Sequence, residues 1–292
     1  MLWVMPEPIN GRPSTGGSTH HLGRRTLARH RRELILGELR RNGSVRVTEL
    51  ASELDVSEMT VRRDLDALDT AGLAEKVHGG ATLRFRHTTD EPGFDAKITM
   101  NAPEKESIAR TAALSVDAGS SIGMTAGTTT ARMAAELSGI ADLTVVTNSI
   151  RVAQTFATSP RSDRTVILTG GERTPSEALV GPVAVGSLGS FHLDQVFMGV
   201  HGMHERAGFT TPNLHEAETN RAFIAAADRV TVLADHAKWG VTGLATITDF
   251  EEVDTLVTDA GHAKQTLDFL ASRVRDLVVV LTAAEAGGTD VA

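Results

Sequence analysis

Between residues 47 and 68 the apolar positions recur with the period of two short helices. Val47, Leu50, Ala51 and Leu54 stand at i, i+3, i+4 and i+7, one face of a helix. Asp55 and Val56 interrupt the pattern, and the Ser57 hydroxyl is suited to accept from an unpaired N–H in the first turn of a second helix. There Val61, Leu65 and Leu68 share a face, which leaves Met59, Arg62 and Arg63 for the other side. Gly72 ends this helix. Leu73 to Val77 and Ala81 to Arg84 then read as two strands joined at His78-Gly79-Gly80, where glycine permits the positive φ of a tight hairpin. Upstream, Ile35, Leu36 and Leu39 give a preceding helix its buried side. The pattern is a helix-turn-helix followed by a wing, with an outward arginine pair on its second helix.

Beyond Arg84 the periodicity lapses. Residues 85–100 mix polar residues with a Pro92-Gly93 turn and suit a linker. From Ala102 helices and strands alternate. Helices are expected near 104–116 and 130–137, and strands near 120–124, 143–146, 165–168, 195–200, 230–233, 256–257 and 277–281. Alternation of that kind predicts an α/β domain with a doubly wound, mostly parallel sheet. The division is a tail at 1–24, a winged helix-turn-helix at 25–86, a linker at 87–101 and the α/β domain at 102–292. Ligands of such sheets collect beyond the carboxyl ends of the strands. Thr125-Ala126-Gly127-Thr128-Thr129-Thr130 follows a strand and opens a helix, so its amides and hydroxyls form a candidate phosphate cradle at the positive end of a helix dipole. An unliganded helix start accounts for those residues equally well. Asn148, Gly170, Gly171, Asp235 and Lys238 fall at equivalent strand ends, the lysine being a ready charge for a phosphate.

Charge separates the two portions. His20 to Arg86 hold 13 Lys/Arg against 10 Asp/Glu, whereas residues 87–292 hold 15 against 26. A chain of net charge −8 can therefore meet DNA only through its N-terminal portion, with Arg62 and Arg63 as base or phosphate contacts. Arg24, Arg25, Arg29, Arg31 and Arg32 are either further phosphate contacts or a solvated basic face. The chain has no cysteine, which removes disulfides, thiolate metal sites and a cysteine nucleophile. His192, His201, His204 and His215 lack the paired spacing of a metal site, so neither metal nor cofactor is expected. No apolar run approaches the ~20 residues of a membrane helix, and Leu2-Trp3-Val4-Met5 is too short for a signal peptide. A cytoplasmic protein without a membrane partner is expected.

Val56-Ser57-Glu58-Met59-Thr60-Val61-Arg62-Arg63-Asp64-Leu65 and Val77-His78-Gly79-Gly80-Ala81 together resemble the winged-helix signature of the DeoR family of bacterial transcriptional regulators, and the resemblance extends from about Arg31 to about Gly261. It implies a repressor of carbohydrate-metabolism genes. DNA contacts would come from Ser57, Met59, Thr60, Arg62, Arg63, His78, Gly79 and Gly80. The C-terminal domain would resemble ribose-5-phosphate isomerase and coenzyme A transferases and would sense a phosphorylated sugar. Phosphate would lie on Gly127, Thr128, Thr129 and Thr130, with Asn148, Asp235 and Lys238 approaching the sugar. The matching stretches also include 179–182 and 208–212. Two positions depart from the family: Thr125 stands where many relatives are acidic, and His201 where many carry Asp or Asn, so both are candidate contacts to sugar hydroxyls. A homodimer or homotetramer would place two readers on operator half-sites ~34 Å, or a multiple of that, apart. The alternative is a sugar-phosphate isomerase or acyl-CoA transferase with an appended DNA-binding head. Such an isomerase needs a base beside the carbon that loses its proton, and 199–204, Gly-Val-His-Gly-Met-His, does not supply the acidic pattern of those enzymes.

Overall fold

The computed structural model describes Ala28 and residues 30–39, 44–70, 73–77, 79–83, 88–89, 93–159 and 161–282. Gly72, His78, Arg24, Arg25, Arg29 and the N-terminal tail lie outside them. Helix α1 (residues 30–39), β1 (Ser44–Arg46), α2 (Val47–Glu53), α3 (Glu58–Thr70), β2 (Ala74–Val77) and β3 (Gly80–Leu83) follow in order. The strands form an antiparallel sheet, β1-β3-β2. Ile35, Leu39, Val47, Leu50, Val61, Leu65 and Leu68 are all buried in one cluster that, among the described residues, none from the C-terminal portion joins. The helical spacing thus gathers a self-contained apolar core. Asp55 makes the interhelical turn at φ 48°, a left-handed conformation that a short polar side chain tolerates.

The remaining helices are α4 (Phe94–Lys97), α5 (Ala102–Ala113), α6 (Thr128–Glu136), α7 (Ile150–Thr158), α8 (Pro182–Leu188), α9 (Leu214–Ala225) and α10 (Lys264–Arg273). Strands β4 (Ser121–Met124), β5 (Thr144–Thr147) and β6 (Thr165–Leu168) precede a short hairpin of β7 (Glu172–Arg173) and β8 (Leu179–Val180). Then come β9 (Gln195–Gly199), β10 (Gly202–His204), β11 (Gly208–Thr211), β12 (Val230–Leu233), β13 (Ala245–Thr248), β14 (Thr255–Asp259) and β15 (Asp276–Val280). Seven of these form one sheet in the order β15-β14-β12-β9-β4-β5-β6, with every pair parallel.

Successive side chains enter opposite layers. Val145, Phe197, Leu233 and Val257 face the cluster built with α5, α6 and α7, whereas Val146, Met198, Val232 and Leu256 face the cluster that holds Leu188, Phe223 and Leu270. Burial on both faces explains why these strands are short continuous apolar runs. From β4 the chain proceeds outward through β5 and β6, then returns to the other side of β4 as β9 and proceeds through β12, β14 and β15. The order of strands reverses between β4 and β9. Loops leaving those two neighbours diverge and leave a crevice between them.

Two features departed from the sequence pattern. Antiparallel β10-β11-β13 and the β7-β8 hairpin add to the parallel sheet. Within the stretch of 85–100 that suits a linker, Phe94–Lys97 form a helical turn, and Phe94 and Met100 are buried.

Candidate functional site

The second helix of the reader, α3, starts as its sequence suggests. The Ser57 hydroxyl accepts from the Thr60 amide at 3.2 Å and lies 2.9 Å from the Thr60 hydroxyl, so both residues are engaged in capping. Met59, Arg62 and Arg63 are exposed on the outward face. Arg62 makes a 3.1 Å pair with Glu58, one turn back and equally exposed, which positions the guanidinium at little energetic gain. Of two candidates for phosphate contact, Arg31 packs against buried Asp64 on α3 with its Nε at 2.5 Å, whereas Arg32 is more exposed, 3.8 Å from the same carboxylate, its Nε donating to the Ala28 carbonyl at 3.2 Å. Arg31 braces α3 from behind. The wing turn divides its glycines by role. Gly79 has φ +84° and open space, whereas a Cβ on Gly80 would lie 2.0 Å from the Val45 carbonyl oxygen of β1. Gly80 is required by strand packing, independently of any DNA contact.

At the reversal between β4 and β9 lies a cleft with about 720 Å³ of empty space, part of it continuous with solvent. Ala126, Gly127, Thr128 and Thr129 line it from the start of α6, and Gly199, Val200 and His201 from the end of β9. No side chain caps α6, so its first-turn amides are available to an anion. Lys238 lies on the wall, together with Lys97 and Lys105, and buried Asn148 completes that side.

Several expected contacts act behind the wall. The Thr125 hydroxyl accepts from the Gly199 amide at 3.1 Å and its own amide donates to the Phe197 carbonyl, so it splices β4 to β9 behind the lining of the cleft. Thr130, fully buried, donates to the Gly127 carbonyl at 3.0 Å. Asn148 reaches the wall, but its Oδ1 accepts from Ala126 at 2.9 Å and its Nδ2 donates to the Leu179 carbonyl at 3.1 Å. It fixes the anion turn against β8. Asp235 is also buried off the wall, where its Oδ1 accepts from Asn101 Nδ2 at 2.8 Å and from the Ala237 amide. Gly170 and Gly171, at φ 73° and 117°, likewise stand apart from the cleft. A Cβ on Gly171 would lie 2.4 Å from the Val180 carbonyl oxygen, so the pair serves the hairpin.

Other residues complete the wall without having been expected there. Glu216 accepts hydroxyl hydrogen bonds from Thr174 at 2.9 Å and Thr211 at 3.0 Å, one at each oxygen. Lys97 donates to the Ser176 hydroxyl at 2.8 Å. Lys105, only 2 % exposed, donates to the Lys97 carbonyl at 2.7 Å. Its position had a signal: Lys105, Ile108, Ala109 and Ala112 lie at i, i+3, i+4 and i+7, which puts a lysine on the buried stripe of α5. Glu216 and Phe94 had none.

Burial dominates the electrostatics. It lowers the Lys105 ammonium to a pKa of about 7, with Lys238, Arg132 and Lys97 adding repulsion and Asp235 opposing the fall. His201 is pushed down to about 3 by burial, then by Lys238 and Lys97, and is a neutral ring at physiological pH. Nearby, His236 after β12 and Asp259 at the end of β14 make a 2.6 Å contact, which steadies the short turn that carries Lys238. A recess with three lysines, a neutral imidazole and an uncapped helix start is built to hold a compact anion with hydroxyl groups beside it.

Residues 31–86 match the model of the DeoR-like helix-turn-helix domain, and residues 100–260 that of the DeoR C terminal sensor domain. The chain is 36 % identical over 230 residues to the HTH-type transcriptional regulator GolR of Listeria innocua, covering 78 % of this chain and 89 % of that protein. It is 31 % identical to the putative aga operon transcriptional repressor of Escherichia coli O157:H7, with 86 % and 93 % covered. To the glycerol-3-phosphate regulon repressor of Escherichia coli K12 it is 32 % identical, with 77 % and 88 % covered. Among solved structures it is similar to ribose 5-phosphate isomerase A of Methanocaldococcus jannaschii at 16 % identity and a TM-score of 0.34, over 46 % of this chain and 53 % of the enzyme.

Proposed function

The chain belongs to the DeoR family of transcriptional regulators, and on that premise we propose that it is a repressor of carbohydrate-use genes, released from its operator by a phosphorylated sugar bound in the cleft. The observation that carries the reading is the meeting, at the sheet's reversal point, of the α6 start with Lys97, Lys105 and Lys238. Phosphate takes the amides of Gly127, Thr128 and Thr129, and Lys238 neutralises a second oxygen. His201, held uncharged, offers one ring nitrogen to a sugar hydroxyl.

The site suits a sensor better than an isomerase. Glu216 accepts hydroxyl hydrogen bonds from Thr174 and Thr211, one at each oxygen, so its carboxylate is engaged in building the wall instead of being directed at a substrate proton. Purified protein incubated with ribose 5-phosphate is expected to give no turnover above background, and turnover would overturn this part. The repressor acts as at least a dimer in the cytoplasm, two readers engaging half-sites a helical turn apart, and ligand shifts the balance between arrangements that fit and do not fit that spacing. No helix among the described residues is long and apolar enough to cross a membrane.

The test is a melting-temperature screen against a panel of phosphorylated sugars, since a ligand that favours the native state raises apparent stability. A hit is then titrated against an operator duplex selected from random sequence. Two substitutions separate the modules. Arg63→Ala is expected to weaken operator binding by about 1–3 kcal/mol with ligand affinity unchanged. Lys238→Ala is expected to weaken the phosphate ester with operator affinity unchanged. Equal loss of both activities in either variant contradicts the division of labour.

A further inference from the structure

Nine residues, Gly93 to Asn101, join the reader's side of the chain to α5, and they pass along the cleft. Phe94 and Lys97 are part of its wall. The sensor holds this segment from several separate elements. The Phe94 amide donates to the Pro175 carbonyl at 3.2 Å, and its ring lies under the Arg151 guanidinium at 5.0 Å. Arg151, on α7, also pairs with Asp95 at 3.3 Å. From α5, Lys105 donates to the Lys97 carbonyl, and from α6 the Arg132 Nη2 donates to the Ile98 carbonyl at 2.6 Å. At the far end Asn101 adopts φ 49°, ψ 45°, and its side-chain amide reaches buried Asp235 at 2.8 Å. A non-glycine residue in the left-handed region is sustained only where surrounding contacts determine it.

Ligand and segment therefore share donors. Lys105 lines the cleft and simultaneously holds a main-chain carbonyl of the segment, so an anion in the cleft changes what that ammonium binds. A ligand moves an equilibrium only through contacts that differ between its two states, and this segment makes such contacts at ligand distance.

We propose that residues 93–101 are a coupling strap, latched across the cleft by Lys105, Arg132 and Asn101, through which a bound phosphorylated ligand acts on the DNA reader. The proposal rests on the reading of the cleft as the ligand site. Arg132 and Asn101 are positioning residues: neither lines the cleft, and each fixes the strap from outside it.

The test uses the full chain, an operator duplex selected in vitro, and glycerol 3-phosphate as probe. Arg132→Met removes a latch. Asn101→Gly keeps the left-handed backbone and removes only the side-chain bond to Asp235. In both variants amide hydrogen exchange within 93–101 is expected to quicken at least tenfold while the sheet stays protected. In Asn101→Gly, affinity for glycerol 3-phosphate is expected to stay within twofold of wild type, and in both variants the effect of glycerol 3-phosphate on operator affinity is expected to shrink at least fivefold. Without ligand, operator affinity is expected to differ at least threefold from wild type. Unchanged exchange in the segment, or an operator response equal to that of wild type, overturns the strap. A wild-type melting temperature indifferent to glycerol 3-phosphate and the sugar panel counts instead against the assigned ligand, and the ligand-free comparison still decides the strap.

Discussion

Gly80→Ala is expected to abolish operator binding while the sensor portion still melts and still answers its ligand. The added Cβ would lie 2.0 Å from the Val45 oxygen and 3.3 Å from the Arg46 Cα, both main-chain atoms of the paired strand β1. Main chain cannot rotate aside as a side chain can, so β1 and β3 must part. Overpacking of that kind costs about 3 kcal/mol or more. The reader is small, and domains of about 60 residues have little stability in reserve, so a loss of that size leaves a large fraction of readers unfolded. Gly79→Ala is the control: it has open space and only the left-handed φ to pay for, about 1–2 kcal/mol. Calorimetry of the full chain reads both effects, the lower transition vanishing in Gly80→Ala and shifting in Gly79→Ala. Operator affinity of Gly80→Ala within threefold of wild type refutes the account.

Ligand affinity is expected to fall about tenfold per pH unit above pH 7, and Lys105→Met is expected to remove that slope. In the empty protein the Lys105 ammonium titrates at about 7, because burial and the cations Lys238, Arg132 and Lys97 outweigh the attraction of Asp235. A phosphate dianion in the cleft stabilises the protonated form and raises this pKa. The complex therefore holds one more proton than the free protein between pH 7 and the raised value, and affinity declines as pH rises through that window. Below pH 7 both forms are already protonated, and only the second ionisation of the phosphate near ~6 remains, with the opposite sign. Affinity should peak between these limits. His201, at about 3, remains neutral throughout and contributes nothing. Isothermal titration from pH 6 to 9 in buffers of differing ionisation enthalpy measures the proton uptake directly. Equal affinity at pH 7 and 9, or an undiminished slope in Lys105→Met, sinks the assignment.

Much of this architecture was legible in the chain because its causes are local. The reader's helices follow from 3.6-residue spacing and a capping serine, and the central strands from apolar runs too short for helices. What escaped depended on distant partners. Strands β10, β11 and β13 are three or four residues each, rich in glycine and threonine, and Thr211 meets Ala245 only through the finished fold. The cleft was legible where a strand end meets a helix start, at Gly127 to Thr129, and at Lys238. Gly170, Gly171 and Thr125 resembled ligand loops because the same residue types also make hairpins and splice strands. Phe94 and Lys97 carried no period at all, since their neighbours are supplied by α5, α6, α7 and the β7-β8 hairpin.

The separate apolar core of the reader also bears on the order of manufacture. Everything that core needs has been synthesised by about residue 83, whereas the cleft's Ile247 is added roughly 160 residues later and the edge strand β15 later still. For that interval the nascent chain owns a folded DNA-reading surface and no receptor. A premature stop anywhere in the interval should yield a polypeptide able to touch duplex yet deaf to metabolites, and such truncations should behave genetically unlike point losses in the reader.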